Sequence, residues 1–173
     1  MNDWQKLIRE VRDFPAPGIV FRDITPLIQN PKALLEVSKA LADFDIEANF
    51  VAGIEARGFI FATGAALLSH RGLIPVRKKG KLPFNTLEES YGLEYGHDVI
   101  QIHTDAVTKD DDVLLIDDVL ATGGTLAAAI RLLKKAGAKV TTVAVLLEIT
   151  SLGGRAKLMQ EFPNLKIETL IKE

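Results

Sequence analysis

Val113-Leu114-Leu115-Ile116-Asp117-Asp118-Val119-Leu120-Ala121-Thr122-Gly123-Gly124-Thr125 is the stretch on which the reading of this chain turns. Four consecutive large aliphatic residues leave no polar face, the pattern of a central parallel strand covered on both sides. The run ends in two adjacent carboxylates. A loop of small residues follows, and residues 125–136 then read as a helix that Gly137 stops as a C′ glycine. Small residues let backbone N–H groups approach an anion closely, and a helix start adds aligned donors and partial positive charge. Thr122 and Thr125 add hydroxyls. The loop therefore suits a phosphate. Asp117 and Asp118 would repel that phosphate, so they must serve another part of the ligand: sugar hydroxyls, a metal, or metal-bound water. The pattern is neither a P-loop nor a dinucleotide-binding G-x-G-x-x-G. By itself the segment also fits an ordinary strand-to-helix corner with solvated acids.

Outward from this stretch, short apolar runs at 50–54, 73–76, 140–147 and 165–171 read as strands, and alternation at 99–103 reads as a half-exposed strand. Asn30-Pro31 starts a helix, with an N-cap side chain and a proline at the first helical position. Leu34, Leu35, Val37, Leu41 and Phe44 then form its apolar stripe. Residues 58–70 and 151–162 read as further helices. Strands alternating with helices imply an α/β protein with a mostly parallel sheet flanked by helices. In such sheets ligands bind at the carboxyl edge. Residues 77–96 carry Pro83, Gly80 and Gly92 without helical period, and read as a long functional loop.

The length of 173 residues suits one domain, 1–173, and 47% hydrophobic with 25% charged residues is the balance of a folded globular chain. The net charge of −2 argues against a nucleic-acid partner held by bulk charge. The absence of cysteine excludes disulfides and thiolate metal sites. No apolar stretch approaches the roughly 20 residues of a membrane span, and the first residues lack a secretory h-region, so the expected location is cytoplasmic. His70, His97 and His103 have no ligand spacing.

The thirteen residues quoted above resemble the phosphoribosyl-diphosphate signature of the type I phosphoribosyltransferases. The resemblance implies that Asp117 and Asp118 hold the 2- and 3-hydroxyls of a ribose, and that Ala121, Thr122, Gly123, Gly124 and Thr125 bind its 5-phosphate. Ala121 stands where the hypoxanthine–guanine members carry an aspartate, which argues against a 6-oxopurine substrate. Residues 13–26, 53–59, 77–83 with 91–96, and 147–152 are similar to the adenine-specific members. These imply transfer of a 5-phosphoribosyl group from 5-phosphoribosyl 1-diphosphate to adenine, giving AMP and diphosphate. They also imply the family fold with a small N-terminal hood (1–30), a lid loop (77–96), Mg2+ bound mainly through substrate phosphates and water, and a homodimer.

By the same resemblance the adenine contacts fall on Val20, Phe21, Arg22, Arg57 and Ile149. The diphosphate contacts fall on Glu55, Ala56, Arg57, Arg77, Lys78 and Lys81. Glu94 and Tyr95 come over the site on the lid, with Glu94 as the acid–base group beside the purine imidazole ring. The rivals are a binding-only sensor of phosphoribosyl diphosphate and a xanthine or orotate transferase.

Overall fold

The structure is a computed structural model that describes residues 3–93 and 96–173. It divides into two compact units, Met1–Val37 and Ser38–Glu173, each taken by itself below.

In the N-terminal unit a 3-10 turn (Asp3–Leu7) leads into β1 (Arg9–Arg12) and β2 (Val20–Asp23), an antiparallel ribbon, followed by α1 (Thr25–Gln29) and the first turns of α2 (Pro31–Asp43). Opposite charges are in register across the ribbon, Arg9 with Asp23 and Glu10 with Arg22, the arrangement that favours cross-strand pairing. Hydrogen bonds from the Thr25 side chain and from Arg9 hold the Asp23 carboxyl down to about 2. The proline-rich stretch is thus partly strand, and Val20, Phe21 and Arg22 lie on β2. Phe14 meets Phe21 edge-on, with ring centroids 5.2 Å apart. Asn30 caps α2 as its sequence predicts, its Oδ1 accepting from the Ala33 N–H at 3.0 Å. Leu35 does not join the apolar stripe. It lies well off the line set by Leu34, Val37 and Leu41 and is 53% exposed.

The C-terminal unit contains β3 (Phe50–Ile54), α3 (Gly58–Leu68), β4 (Gly72–Lys78), β5 (Thr86–Leu93), β6 (Gly96–His103), β7 (Asp112–Leu120), α4 (Gly124–Ala136), β8 (Lys139–Glu148), α5 (Gly154–Glu161) and β9 (Lys166–Lys172). They form one seven-stranded sheet in the order β5-β6-β4-β3-β7-β8-β9. The five strands from β4 to β9 in that order are parallel, and the β5–β6 hairpin is antiparallel. Val113, Leu114, Leu115 and Ile116 have no exposed surface. Each contributes about 2 kcal/mol by burial, which is why this run lies between β3 and β8 rather than at an edge. α4 ends at Gly137, whose φ of 110° is the left-handed conformation a C′ glycine supplies.

Two stretches differ from the sequence-based expectation. Residues 77–96 are not one irregular loop, because β4 runs to Lys78 and Thr86–Leu93 is a strand. Its polar composition reflects its place at the sheet edge, where Glu88 pairs with Lys79 and Glu89 with Arg131. Residues 151–162 do not form one helix: a 3-10 turn (Thr150–Leu152) precedes α5, and Gly153 with a φ of 68° separates them. The half-exposed strand at 99–103 extends to Gly96–His103, with Gln101 buried between the Gly80 N–H and Glu88.

The sheet order places the site. From β3 the chain crosses through α3 to β4 on one side, and from β7 through α4 to β8 on the other. Right-handed crossovers in opposite directions put α3 on one face and α4 on the other. The carboxyl ends of β3 and β7 are therefore a topological switch point, where the chain leaves a crevice.

Candidate active site

Two turns meet at this switch point. β3 pairs with β7 only as far as the match of Gly53 with Ile116, so Asp117 and Asp118 extend past it while β8 continues beside them to Leu120. The turn that leaves β3, residues 55–58, closes the other side. It contains a cis peptide between Glu55 and Ala56. Gly58 allows the close approach: a Cβ there would lie 2.7 Å from Asp117 Oδ1 and 3.2 Å from Asp117 Cα. Arg57 reaches across to Asp118, Nη2 to Oδ2 at 2.7 Å.

The acid pair is electrostatically loaded. Asp118 is buried, and Asp117 Oδ1 accepts the Asp118 backbone N–H at 2.9 Å. Burial, and then the negative charge of Asp118, push the Asp117 carboxyl well above the ordinary carboxylate range. Burial also raises Asp118, against the opposing charge of Arg57. Two such carboxylates favour ligand groups that donate hydrogen bonds, as a diol does.

The small-residue loop lies on the far side of the pair. A hollow of about 130 Å3 is lined by Asp117, Val119, Ala121, Thr122, Gly123, Gly124, Thr125 and Leu126. Gly123, at φ 79°, turns the chain into α4, and as the N-cap it has no side chain to offer the first N–H groups of that helix. Those donors and the loop hydroxyls border the same hollow as a carboxylate, so one end suits an anion and the other a donor group.

The basic residues singled out in the sequence gather at and just beyond the end of β4, where Arg77 and Lys78 have acidic partners. Arg77 Nε and Nη2 lie 3.2 and 3.3 Å from the Glu55 carboxylate, and Nη1 donates to the Lys81 carbonyl at 2.9 Å. Glu55 also accepts the Lys78 backbone N–H at 3.0 Å. Burial raises the Glu55 carboxyl, but Arg77 and that N–H, with the charge of Lys81, leave it lowered. Lys78 Nζ lies 3.0 Å from Asp98 Oδ2. Ile149 follows β8, its N–H donating to the Leu120 carbonyl at 2.9 Å. Glu94 and Tyr95 lie outside the described residues.

Sequence reasoning missed Tyr91 and Asp98. Tyr91 is buried on β5, and its hydroxyl donates to Asp98 Oδ2 at 3.1 Å and is hydrogen-bonded to Thr125. It joins the hairpin to the first turn of α4. The pairing of Tyr91 with Asp98 across β5 and β6 brings these residues together, and a loop over 77–96 would contain no such pairing.

With this geometry in hand, three comparisons bear on the chain. Its residues 27–164 match the family model described as phosphoribosyl transferase domain. It is 47% identical over 167 residues to an adenine phosphoribosyltransferase of Streptomyces avermitilis, covering 95% of this chain and 92% of that one. The crystal structure of an adenine phosphoribosyltransferase from Rhodothermus marinus superposes with a TM-score of 0.89 at 46% identity, over 98% of this chain and 96% of that one. APRTase from Giardia lamblia, solved in complex with 9-deazaadenine, gives a TM-score of 0.91 at 38% identity, over 99% of this chain and 96% of that one. A switch-point crevice carrying an acid pair and a small-residue loop, on a chain with these relatives, has one family reading: the protein belongs to the phosphoribosyl transferase domain family.

Proposed function

We infer that this chain transfers the 5-phosphoribosyl group of 5-phosphoribosyl 1-diphosphate to adenine, giving AMP and diphosphate, a reaction of purine salvage. The observation that carries the reading is the shared hollow: Asp117 lines it together with the loop from Ala121 to Thr125. The adenine-specific relatives support the choice of base, as does Ala121 in place of the acid expected for a 6-oxopurine enzyme. In this reading Asp117 and Asp118 accept hydrogen bonds from the ribose 2- and 3-hydroxyls. The backbone of 121–125 and the Thr122 and Thr125 hydroxyls take the 5-phosphate.

The transition state is cation-like at the anomeric carbon, and negative charge grows on the leaving diphosphate. Positive groups fixed in advance near that charge lower the barrier. The turn of Glu55, Ala56 and Arg57 supplies backbone donors and a guanidinium. Arg77, Lys78 and Lys81 supply positive charge, with Glu55 orienting Arg77. The base-recognition role falls on Val20, Phe21 and Arg22 of β2 in the N-terminal unit, and on Arg57 and Ile149 in the C-terminal one. Glu94 is the acid–base group at the purine imidazole ring, with Tyr95 beside it.

Among the described residues no three carboxylate or imidazole groups converge on one point. The donor set fits Mg2+ held through substrate phosphate oxygens and water beside Asp117 and Asp118, since this ion keeps waters and takes hard oxygen ligands. When bound, the ion neutralises charge on the departing diphosphate. A labelled donor offered to adenine, hypoxanthine, guanine, xanthine and orotate gives nucleotide only with adenine. Chelation abolishes that turnover, and added Mg2+ restores it. Product from another base and none from adenine would overturn the assignment.

The functional unit is a homodimer. α3 is apolar on every face, a composition suited to burial on all sides, yet Leu67 is 73% and Leu68 43% exposed. A second copy covers this surface. Sedimentation gives two copies for the wild type and one for Leu67→Lys; a monomeric wild type would exclude the dimer. Among the described residues no helix is long and apolar enough to cross a membrane. A cytoplasmic location goes with this reading, because charged phosphorylated substrates do not cross membranes unaided.

A further inference from the structure

The motif at residues 147–155, Leu147-Glu148-Ile149-Thr150-Ser151-Leu152-Gly153-Gly154-Arg155, does more than contribute Ile149. Its second half passes directly beneath the loop of 121–125. A Cβ placed on Gly154 would stand 2.2 Å from the Ala121 carbonyl oxygen and 2.9 Å from the Gly123 nitrogen. A Cβ placed on Gly123 would stand 2.9 Å from the Gly154 carbonyl oxygen. The two backbones therefore touch with no side chain between them. Any displacement of Gly154 passes straight to the amides of the loop.

What fixes Gly154 is the next residue. The Arg155 guanidinium grips Glu148 in a two-pronged pair, Nε to Oε1 at 2.8 Å and Nη2 to Oε2 at 2.6 Å. Its remaining arm donates to the Ile167 carbonyl on β9 at 2.8 Å. A planar, charged fork bound at three points is the most directional anchor a side chain offers. Glu148 is 4% exposed and holds its charge, with its carboxyl lowered by the Arg155 hydrogen bonds. Glu148 also pairs with Leu120, the residue that enters the loop, and the Ile149 N–H donates to the Leu120 carbonyl. The entry of the loop and its floor are thus referenced to one carboxylate.

We propose that the ion pair of Glu148 and Arg155 seats Gly154 as the floor of the loop at 121–125, and so makes Arg155 a positioning residue for the donor's 5-phosphate. The proposal rests on the assignment of that loop to the 5-phosphate. Arg155 touches no substrate; it acts through the backbone of Gly154 on the amides that do. A displacement of about 1 Å in such donors costs tenfold or more in the affinity they provide.

The test is calorimetric titration of the folded protein with ribose 5-phosphate, alongside steady-state KM values for donor and adenine. Gly154→Ala and Arg155→Met each weaken ribose 5-phosphate about tenfold and raise the donor KM in parallel, while the adenine KM moves less than about twofold. Arg155→Lys, which keeps the charge but loses the fork, falls between wild type and Arg155→Met. Leu158→Ala, which removes a fully buried side chain from the same helix, supplies the control: it lowers thermal stability and leaves ribose 5-phosphate affinity unchanged. Unchanged ribose 5-phosphate affinity in folded Arg155→Met overturns the proposal. So does an equal loss in Leu158→Ala at matched loss of stability, which would make the effect general loosening. If Gly154→Ala does not fold, Arg155→Met decides alone. A wild type that fails to bind ribose 5-phosphate sinks the loop assignment itself, and the proposal with it, an outcome distinct from failure in the variants.

Discussion

Asp118→Asn lowers kcat/KM for the phosphoribosyl donor roughly hundredfold, the loss typical of a polar group aimed at the reacting ligand. The amide keeps one acceptor oxygen but loses the charge, and it presents an N–H where a ribose hydroxyl needs an acceptor. Arg57 loses the charge of the carboxylate at 2.7 Å, and its link across the two turns weakens. The pH profile carries a second signature. The form that binds a diol is the ionised pair, and both carboxyls lie above the ordinary carboxylate value of about 3.9. Donor kcat/KM therefore climbs with pH on the acid side, with a midpoint above that value. Asp118 supplies part of the push on Asp117, so in Asp118→Asn the limb moves to lower pH.

The stability consequence has a definite sign. Asp117 binds its proton more tightly folded than unfolded, so its ionisation penalises the folded state. The penalty is absent below the unfolded value, grows as pH rises through the window up to the folded one, and is complete above it. Removing the Asp118 charge relieves part of that cost at neutral pH, so the thermal midpoint of Asp118→Asn does not fall there. Wild-type kcat/KM in the folded variant would remove the acid pair from the reaction. A lowered midpoint with near-normal kcat/KM would assign Asp118 to structure alone.

The parts of this molecule legible in its sequence are those where one short segment carries the whole signal. The aliphatic run before Asp117 is buried on both faces, so its composition alone gives its place in the sheet. Asn30 starts one helix and Gly137 stops another by local capping, and both do so in the structure. Asp117, Asp118 and the loop that follows are contiguous, so chain order already places them at one corner. What could not be read depends on pairing between distant segments. β5 is an edge strand whose Glu88 and Glu89 satisfy Lys79 and Arg131, and those charges erase the alternation that marks a strand. Arg77 and Lys78 read as a free basic cluster until the fold brings Glu55 and Asp98 against them. The contact of Gly154 with Gly123 joins residues on either side of a whole helix and strand, and glycine has no side chain to announce it.

The same dependence on a bare backbone makes Gly58→Ala the second large effect. α3 starts against β7, and at Gly58 the room for a methyl group is already taken. Its Cβ would lie 2.7 Å from Asp117 Oδ1, 3.1 Å from the Ile116 carbonyl oxygen and 3.2 Å from Asp117 Cα. Two of these neighbours belong to the backbone of a central strand held by β3 and β8, so the carboxylate cannot relieve the clash by rotating away. The start of the helix has to move instead, and Arg57 moves with it. Overpacking of this kind costs about 2 kcal/mol, read as a lower denaturation midpoint in urea at unchanged slope. The functional loss exceeds what that destabilisation explains, because the folded variant holds Arg57 and the 55–57 turn out of line with Asp117 and Asp118. Donor KM rises about tenfold or more. Ala56→Gly is the companion measurement: residue 56 is exposed in the same turn, and the change adds no bulk. Near-wild-type donor KM in folded Gly58→Ala would mean that the two turns do not need this contact to act on one substrate. A loss in Gly58→Ala alone ties donor binding to the distance between α3 and the acid-bearing strand.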